Sequence, residues 1–253
     1  MMKLTFLGTG TSTGVPEIGC DCEVCTSRDP KDNRLRASVM VEITGKRLII
    51  DCSPDFRYQM LRKHITQIDV ILLTHEHYDH VGGLDDVRRF SYANGMNVYA
   101  EENVLEAVRT RIPYVFRENK YPGVPELNLC PVTTEPFEIN GIPILPIRIM
   151  HHQLPILGFR IGGIAYLTDM KTLPEEEYAK LKDLDVLVIN ALKFGTHLSH
   201  QGVDEALEQI KRIAPREAWM THVSSVNHQI GRTFGVNYNL LLQCLHCIAY
   251  TYY

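Results

Sequence analysis

A chain of 253 residues, 45% hydrophobic and 22% charged, is long enough to bury a full core without disulfides or a partner. Its formal charge of -4 and pI near 6.3 give no overall cationic footprint, so long nucleic acids are not expected as partners. Met1-Met2-Lys3-Leu4 runs straight into a strand-like segment, with no apolar h-region and no stretch of membrane-spanning length, so the reading is a cytoplasmic chain with no membrane partner, folded as one domain over 1–253.

Lys3-Leu4-Thr5-Phe6-Leu7 alternates polar and apolar residues, then breaks at Gly8-Thr9-Gly10-Thr11-Ser12-Thr13-Gly14, a strand leading into a glycine-rich loop. The loop lacks the G-x-x-x-x-G-K-[ST] pattern of a phosphate cradle and no helix signal follows, so its backbone is expected to approach an active site instead. Three of the seven cysteines come next, in Cys20-Asp21-Cys22-Glu23-Val24-Cys25. An odd total and this bunching suit metal thiolates in a reducing compartment better than disulfides. Residues 37–43 and 47–51, joined by Thr44-Gly45-Lys46, read as a hairpin ending at Asp51, and residues 54–63 as a helix.

Val70-Ile71-Leu72-Leu73 is an uninterrupted apolar run that suits a strand covered on both faces. It opens onto Thr74-His75-Glu76-His77-Tyr78-Asp79-His80. With extended backbone, His75 and His77 project to one side and can share a cation, while Asp79 and His80, where the chain turns into a helix, can reach a second. Gly82-Gly83 then lets backbone pass close by without a side chain in the way. A single histidine in a protein of this size is usually packed or solvated, but three with an interleaved aspartate at a strand end point to metal.

Residues 84–92 read as a helix, 97–100 as a short strand, and 102–111 as a helix whose acidic start and basic end suit its dipole. Between Pro113 and Pro136 the pattern dissolves into prolines and aromatics, a long loop that serves as a wall over the site, as simple packing, or as a homodimer contact. In the second half, strands at 142–150, 164–168, 184–190 and 216–221 each deliver a polar group at or just past their ends: His151-His152, Asp169, the loop to His200, and His222. Helices at 174–182 and 202–213 alternate with them. No Ser-His-Asp or reactive-cysteine pattern competes, since Cys52 and Cys130 lie in apolar or proline-flanked runs.

H-x-H-x-D-H, as it stands at His75, His77, Asp79 and His80, resembles the signature of the metallo-β-lactamase fold of binuclear hydrolases. The resemblance implies an α/β architecture, a four-layer αβ/βα sandwich whose loops along one edge hold the site. Carried over residue by residue, it implies that His75, His77 and His151 hold one metal, that Asp79, His80 and His222 hold the other, and that Asp169 bridges them. In the doublet His151-His152 the ligand directly follows its strand, which favours His151 and leaves His152 as a contact to a ligating residue or to substrate, or as an exposed neighbour with no role. Asp51 is implied to orient the ligating imidazoles, with a capping role before Ser53-Pro54 as the alternative. Two divalent cations, Mn²⁺ or Zn²⁺, would generate a hydroxide nucleophile and clamp a phosphoryl centre.

Together with that signature, Cys20-x-Cys22-x-x-Cys25 resembles the cyclic phosphodiesterase family that acts on phosphoribosyl 1,2-cyclic phosphate in the carbon-phosphorus lyase pathway. The family holds a structural Zn²⁺ on three such cysteines and a histidine three residues beyond its last catalytic ligand. Ser225 stands at that position here, and His228 takes the implied role. His200 matches the family's general acid, with His197 as its rival, so the catalytic assignment is Asp79 and His200. The implied substrate is a small cyclic or nucleotide-like phosphate ester. Thioester or lactone hydrolysis is the alternative on the same fold, a tRNA 3′-end nuclease would call for a basic arm that is not visible, and a cofactor-biosynthesis protein would have an incomplete ligand set. The likeness runs from about residue 3 to His228. The family's closing aromatic-Asp-Gly run is absent from Cys247-Ile248-Ala249-Tyr250-Thr251-Tyr252-Tyr253.

Overall fold

The computed structural model describes residues 2–92, 94–225 and 250–252. The chain divides into two compact units. The first takes in the described parts of Met1–Leu7, Ser38–Thr133 and Ile248–Tyr253, the second those of Gly8–Ala37 and Thr134–Cys247. The segment from 226 to 249, with His228 and its expected zinc role, lies outside the described residues.

In the first unit β1 (Met2–Gly8), β2 (Ser38–Ile43), β3 (Lys46–Ile50), β4 (Val70–Leu72), β5 (Met96–Ala100) and β6 (Leu127–Pro131) stand in that order, with Tyr250–Tyr252 antiparallel to β1 at the outer edge. β2 and β3 form the hairpin that the turn at Thr44-Gly45 predicts, while β3, β4, β5 and β6 run parallel. Val70, Ile71, Leu72 and Leu73 are all buried, which is the demand placed on an interior parallel strand covered on both faces. α1 (Phe56–Arg62), the single turn α2 (Tyr78–Val81), a 3-10 turn Leu84–Val87 with α3 (Arg88–Ser91), and α4 (Glu102–Arg111) supply the helices. Phe56, Met60, Leu84, Val87, Val104 and Val108 pack from them into one apolar cluster with Ile49, Ile71 and Val98.

Two expectations change here. The helix read over 84–92 begins as a 3-10 turn: Arg88 pairs with Asp85 and its Nε donates to the Asp85 carbonyl, at the i, i+3 spacing at which 3-10 side chains eclipse. The long loop read over 113–136 contains a 3-10 turn, Pro113–Phe116, and the edge strand β6. Its prolines disguised it, because Pro131 is admissible only on an edge strand, where it pairs with Ala100.

The second unit holds β7 (Phe137–Ile139), β8 (Ile142–His151), β9 (Leu154–Ile161), β10 (Ile164–Leu167), β11 (Val186–Asn190) and β12 (Glu217–Thr221), in the order β12-β11-β10-β9-β8-β7. β7 to β10 are an antiparallel meander and β10 to β12 are parallel. β9, which interrupts its apolar pattern with Pro155 and Gly158, was not read from the sequence; it is the return arm of β8, with His151 opposite Leu154. The helix read over 174–182 is a 3-10 helix, Glu175–Leu181, whose buried Glu177 accepts from the Arg148 N–H and pairs with Lys180 three residues on. α5 (Val203–Ile213) buries Val203, Ala206 and Ile213 and carries acidic residues in its first turn and basic ones in its last, as its dipole favours. Among the described residues no helix is long and apolar enough to cross a membrane.

Candidate functional site

In the first unit the parallel neighbours β3 and β4 end at the same edge of their sheet, so Asp51 and Thr74 meet just past those ends. Asp51 is fully buried with φ +66, a left-handed conformation that costs a non-glycine residue about 1–3 kcal/mol when sustained. Its carboxylate accepts from the Thr74 N–H at 2.9 Å, from Thr74 Oγ1 at 3.0 Å, and from His80 Nδ1 at 2.7 Å. Burial pushes this carboxyl up, and His80 and Thr74 pull it back. Thr74 has one hydroxyl proton and gives it to the carboxylate, so its oxygen must accept from His75 Nδ1, 2.9 Å away. One carboxylate thereby sets the tautomer of two imidazoles, directly for His80 and through Thr74 for His75. Both carry the proton on Nδ1, which leaves Nε2 as the basic nitrogen open to a metal.

The rings of His75 and His77 lie 4.5 Å apart and those of His75 and His80 4.2 Å apart, and His80 Nε2 is 3.0 Å from Asp79 Oδ2. His75 and His80 are buried, Asp79 is half-buried and His77 is exposed. Gly82-Gly83 has a role different from the one expected. A Cβ on Gly83 would stand 2.1 Å from the Ser53 carbonyl, and the Gly83 N–H donates to Cys52 while Cys52 donates to the His80 carbonyl. The glycines let the turn that carries Asp79 and His80 press against the segment after β3.

The second unit gathers His151, Asp169, His200 and His222. His151 is buried at the end of β8, with Nδ1 facing the carbonyls of Asp169 at 2.8 Å and Ser199 at 2.9 Å, so it too exposes Nε2 as the basic nitrogen. His152 is exposed in the β8–β9 turn with φ +56. Asp169 and His222 follow β10 and β12 in the left-handed region, at φ +56 and +55. Asp169 Oδ2 accepts from Thr168 at 2.7 Å, leaving Oδ1 3.3 Å from His222 Nε2 and 3.6 Å from His200 Nδ1. His151, Asp169 and His200 each offer a ligand atom within 4.8 Å of the others. Burial lowers His200 to about 3, with Asp169 opposing and His222, His151 and His197 adding to the fall. His197 is a loop cap: its Nδ1 faces the backbone N–H groups of Ser199 and His200.

Cys20, Cys22 and Cys25 bring their sulfurs within 4.8 Å of one another. The Cys25 N–H donates to Cys22 Sγ at 3.4 Å and lowers that thiol to about 7, which favours the thiolate a metal requires. The loop that carries them is tied to the strand end bearing His222: Thr11 N–H donates to the Val223 carbonyl, and Arg34 donates to Ser224.

Sequence reasoning did not single out Thr74 and Thr168, whose hydroxyls orient these groups. A signal was present, since Thr74-His75, Thr168-Asp169 and Thr221-His222 repeat one pattern, a threonine directly before a site residue, and all three threonines are fully buried. The donor set fits divalent cations on chemistry alone: imidazoles with Nδ1 engaged, carboxylates and a thiol lowered towards thiolate. Asp51→Asn keeps the size of the side chain but offers His80 only one acceptor oxygen in competition with Thr74, so metal affinity should fall roughly 10- to 100-fold in a chelator competition, with the fold intact. Unchanged affinity would contradict the orienting role. Cys22→Ser should remove one zinc equivalent per chain in elemental analysis, and an unchanged zinc content would rule the cysteine cluster out as a site.

Residues 46–223 match the beta-lactamase superfamily domain. A diphosphatase from the PhnP family, known from its crystal structure, is similar at 37% identity and a TM-score of 0.86, over 93% of this chain and 92% of that one. An octanoyltransferase of Porphyromonas gingivalis is 50% identical over 227 residues, 88% of this chain and 46% of the relative. A coenzyme PQQ synthesis protein B of Methylobacterium nodulans is 32% identical over 122 residues, 42% of this chain and 40% of that protein. The chain spans about half the length, or less, of these two curated relatives. With most of the chain, residues 46–223, matching that domain and a PhnP-family structure covered nearly end to end, the chain belongs to the beta-lactamase superfamily and, within it, to the PhnP family, and it has the metallo-β-lactamase fold.

Proposed function

We propose that this chain is a single-domain, binuclear metal-dependent phosphodiesterase that hydrolyses a small cyclic or nucleotide-like phosphate ester. The observation that carries the reading is the orientation of the imidazoles: His75, His80 and His151 each have Nδ1 engaged by a neighbouring oxygen and Nε2 left as the basic nitrogen. Likeness to a PhnP-family diphosphatase supports phosphate chemistry. In this reading His75, His77 and His151 hold one cation, Asp79, His80 and His222 the other, and Asp169 both, while Cys20, Cys22, Cys25 and His228 hold a structural zinc. Mn²⁺ and Zn²⁺ both suit the mixture of imidazole and carboxylate.

When bound, the cation pair supplies a hydroxide near neutral pH and neutralises charge on the phosphoryl oxygens. The chain's own groups do the rest. Thr168 fixes one oxygen of Asp169 and so aims the other. His200 Nδ1 lies 3.6 Å from Asp169 Oδ1, and its imidazole is the group placed to donate a proton to the departing oxygen.

A second reading rests on the 50% identity with part of a protein named octanoyltransferase: hydrolysis of an acyl thioester, with a carbonyl polarised in place of a phosphoryl oxygen. Rates on bis(p-nitrophenyl) phosphate, a ribose cyclic phosphate and an octanoyl thioester, run on metal-quantified protein, separate the two. The phosphate esters should be turned over, and Asp169→Ala should abolish that turnover. A faster thioester reaction would replace the first reading with the second. His200→Ala should lower kcat about 10²- to 10⁴-fold on the ribose ester and much less on the p-nitrophenyl ester, whose leaving group needs no proton; equal losses on both would remove His200 as the acid.

A further inference from the structure

A second group of polar side chains in the first unit surrounds a cavity of about 210 Å³, lined by Lys3 and Thr5 of β1, Glu42 of β2, Arg47 of β3, and Lys63 and His64 at the end of α1. Glu42 and Arg47 are partners across the β2–β3 hairpin, and Lys3 and Thr5, two apart on their strand, point to one side, so all four share a face of the sheet. Three cations meet one carboxylate there. Glu42 Oε2 accepts from Lys3 at 2.8 Å and Oε1 from Arg47 Nε at 3.1 Å, while Arg47 Nη1 donates to the Gln67 carbonyl at 3.3 Å. An ammonium has three donors and a guanidinium five, so most of these remain available. The Lys63 ammonium has no partner among the described residues. It does not cap its own helix either, because the carbonyls of Gln59, Met60 and Leu61 accept from the backbone N–H groups of Lys63, Ile65 and His64. Thr5 is only 5% exposed, yet its Oγ1 has no hydrogen-bond partner among the described residues. A buried hydroxyl left unpaired costs stability, and such a group in a native protein calls for a bound water or ion.

We propose that this cavity binds a small tetrahedral oxyanion, inorganic phosphate, with the Thr5 hydroxyl and the Lys63 ammonium donating to it and Lys3 and Arg47 supplying further positive charge. Three cations against one carboxylate set the sign of the ligand. The volume, below the roughly 300–1,000 Å³ of pockets for larger ligands, suits a small ion with a few waters. Arg47 stands at the start of β3 and Asp51 just past its other end, so the anion lies at the sheet edge opposite the ligand-bearing turn and ties β1, β3 and the end of α1 together. The site is independent of which ester the metal centre hydrolyses. Thermal unfolding of the metal-loaded chain, in inorganic phosphate and in chloride at equal ionic strength, tests it. Phosphate at about ten times its dissociation constant should raise Tm by roughly 3–6 °C. Thr5→Val removes the hydroxyl at constant shape and Lys63→Met removes the charge while keeping the apolar stem; each should lose at least half of that rise. In chloride, Thr5→Val should melt no lower than wild type, since its hydroxyl has no bond to lose. The proposal is overturned by the absence of a phosphate-specific rise in wild type, or by more than half of the rise persisting in either variant, as for phosphate held on the catalytic cations. A lower Tm of Thr5→Val in chloride, the mark of a hydroxyl already bonded within the protein, overturns it as well.

Discussion

A carboxylate with no solvent exposure is the constraint around which the first unit is arranged. Burying an ionised Asp51 carries a large desolvation cost, and it is tolerable only because three donors converge on it. Those donors come from the end of β4 and from α2, so the carboxylate joins the end of β3 to the turn that carries His75, His77, Asp79 and His80. Parallel pairing of β3 with β4 makes this possible by bringing both C-terminal ends to one edge, and the Asp51 N–H extends the ladder by donating to Leu72. The placement of these groups is a consequence of topology: polar groups collect where parallel strands stop.

The second unit uses the same device with different partners. β8 and β10 are both antiparallel to β9, so they run in the same direction and end on the same edge, as does β12 beside β11. His151, Asp169 and His222 occupy those ends. Two of the three sit at positive φ, as Asp51 does, a backbone choice that turns the side chain sharply away from the strand direction. Strain at such positions persists only where surrounding structure over-determines it, and here Thr168, the Ser199 carbonyl and the 8–37 segment packed on Val223 do so.

Much of this was legible beforehand because a short motif condensed it. His75, His77, Asp79 and His80 declare themselves by spacing, and the apolar run before them identifies a covered strand. His151, Asp169 and His222 have no such local pattern; they were assigned through likeness to the metallo-β-lactamase fold, which the comparisons bear out for the chain as a whole. What escaped was whatever depends on pairing. β6 and β9 carry prolines and a glycine that suppress the strand pattern, and only their neighbours make them strands. Left-handed backbone at Asp51, Asp169 and His222 leaves no mark in composition. The buried threonines were visible as letters, but their role required coordinates.

Electron paramagnetic resonance of Mn²⁺-reconstituted protein tests most directly the proposal that donors from separate strand ends hold one pair of cations. The predicted spectrum is that of two exchange-coupled Mn²⁺ ions, collapsing to an isolated-ion signal in Asp169→Ala as the shared carboxylate is lost. A single uncoupled Mn²⁺ in the wild-type protein, unchanged by that substitution, would contradict it.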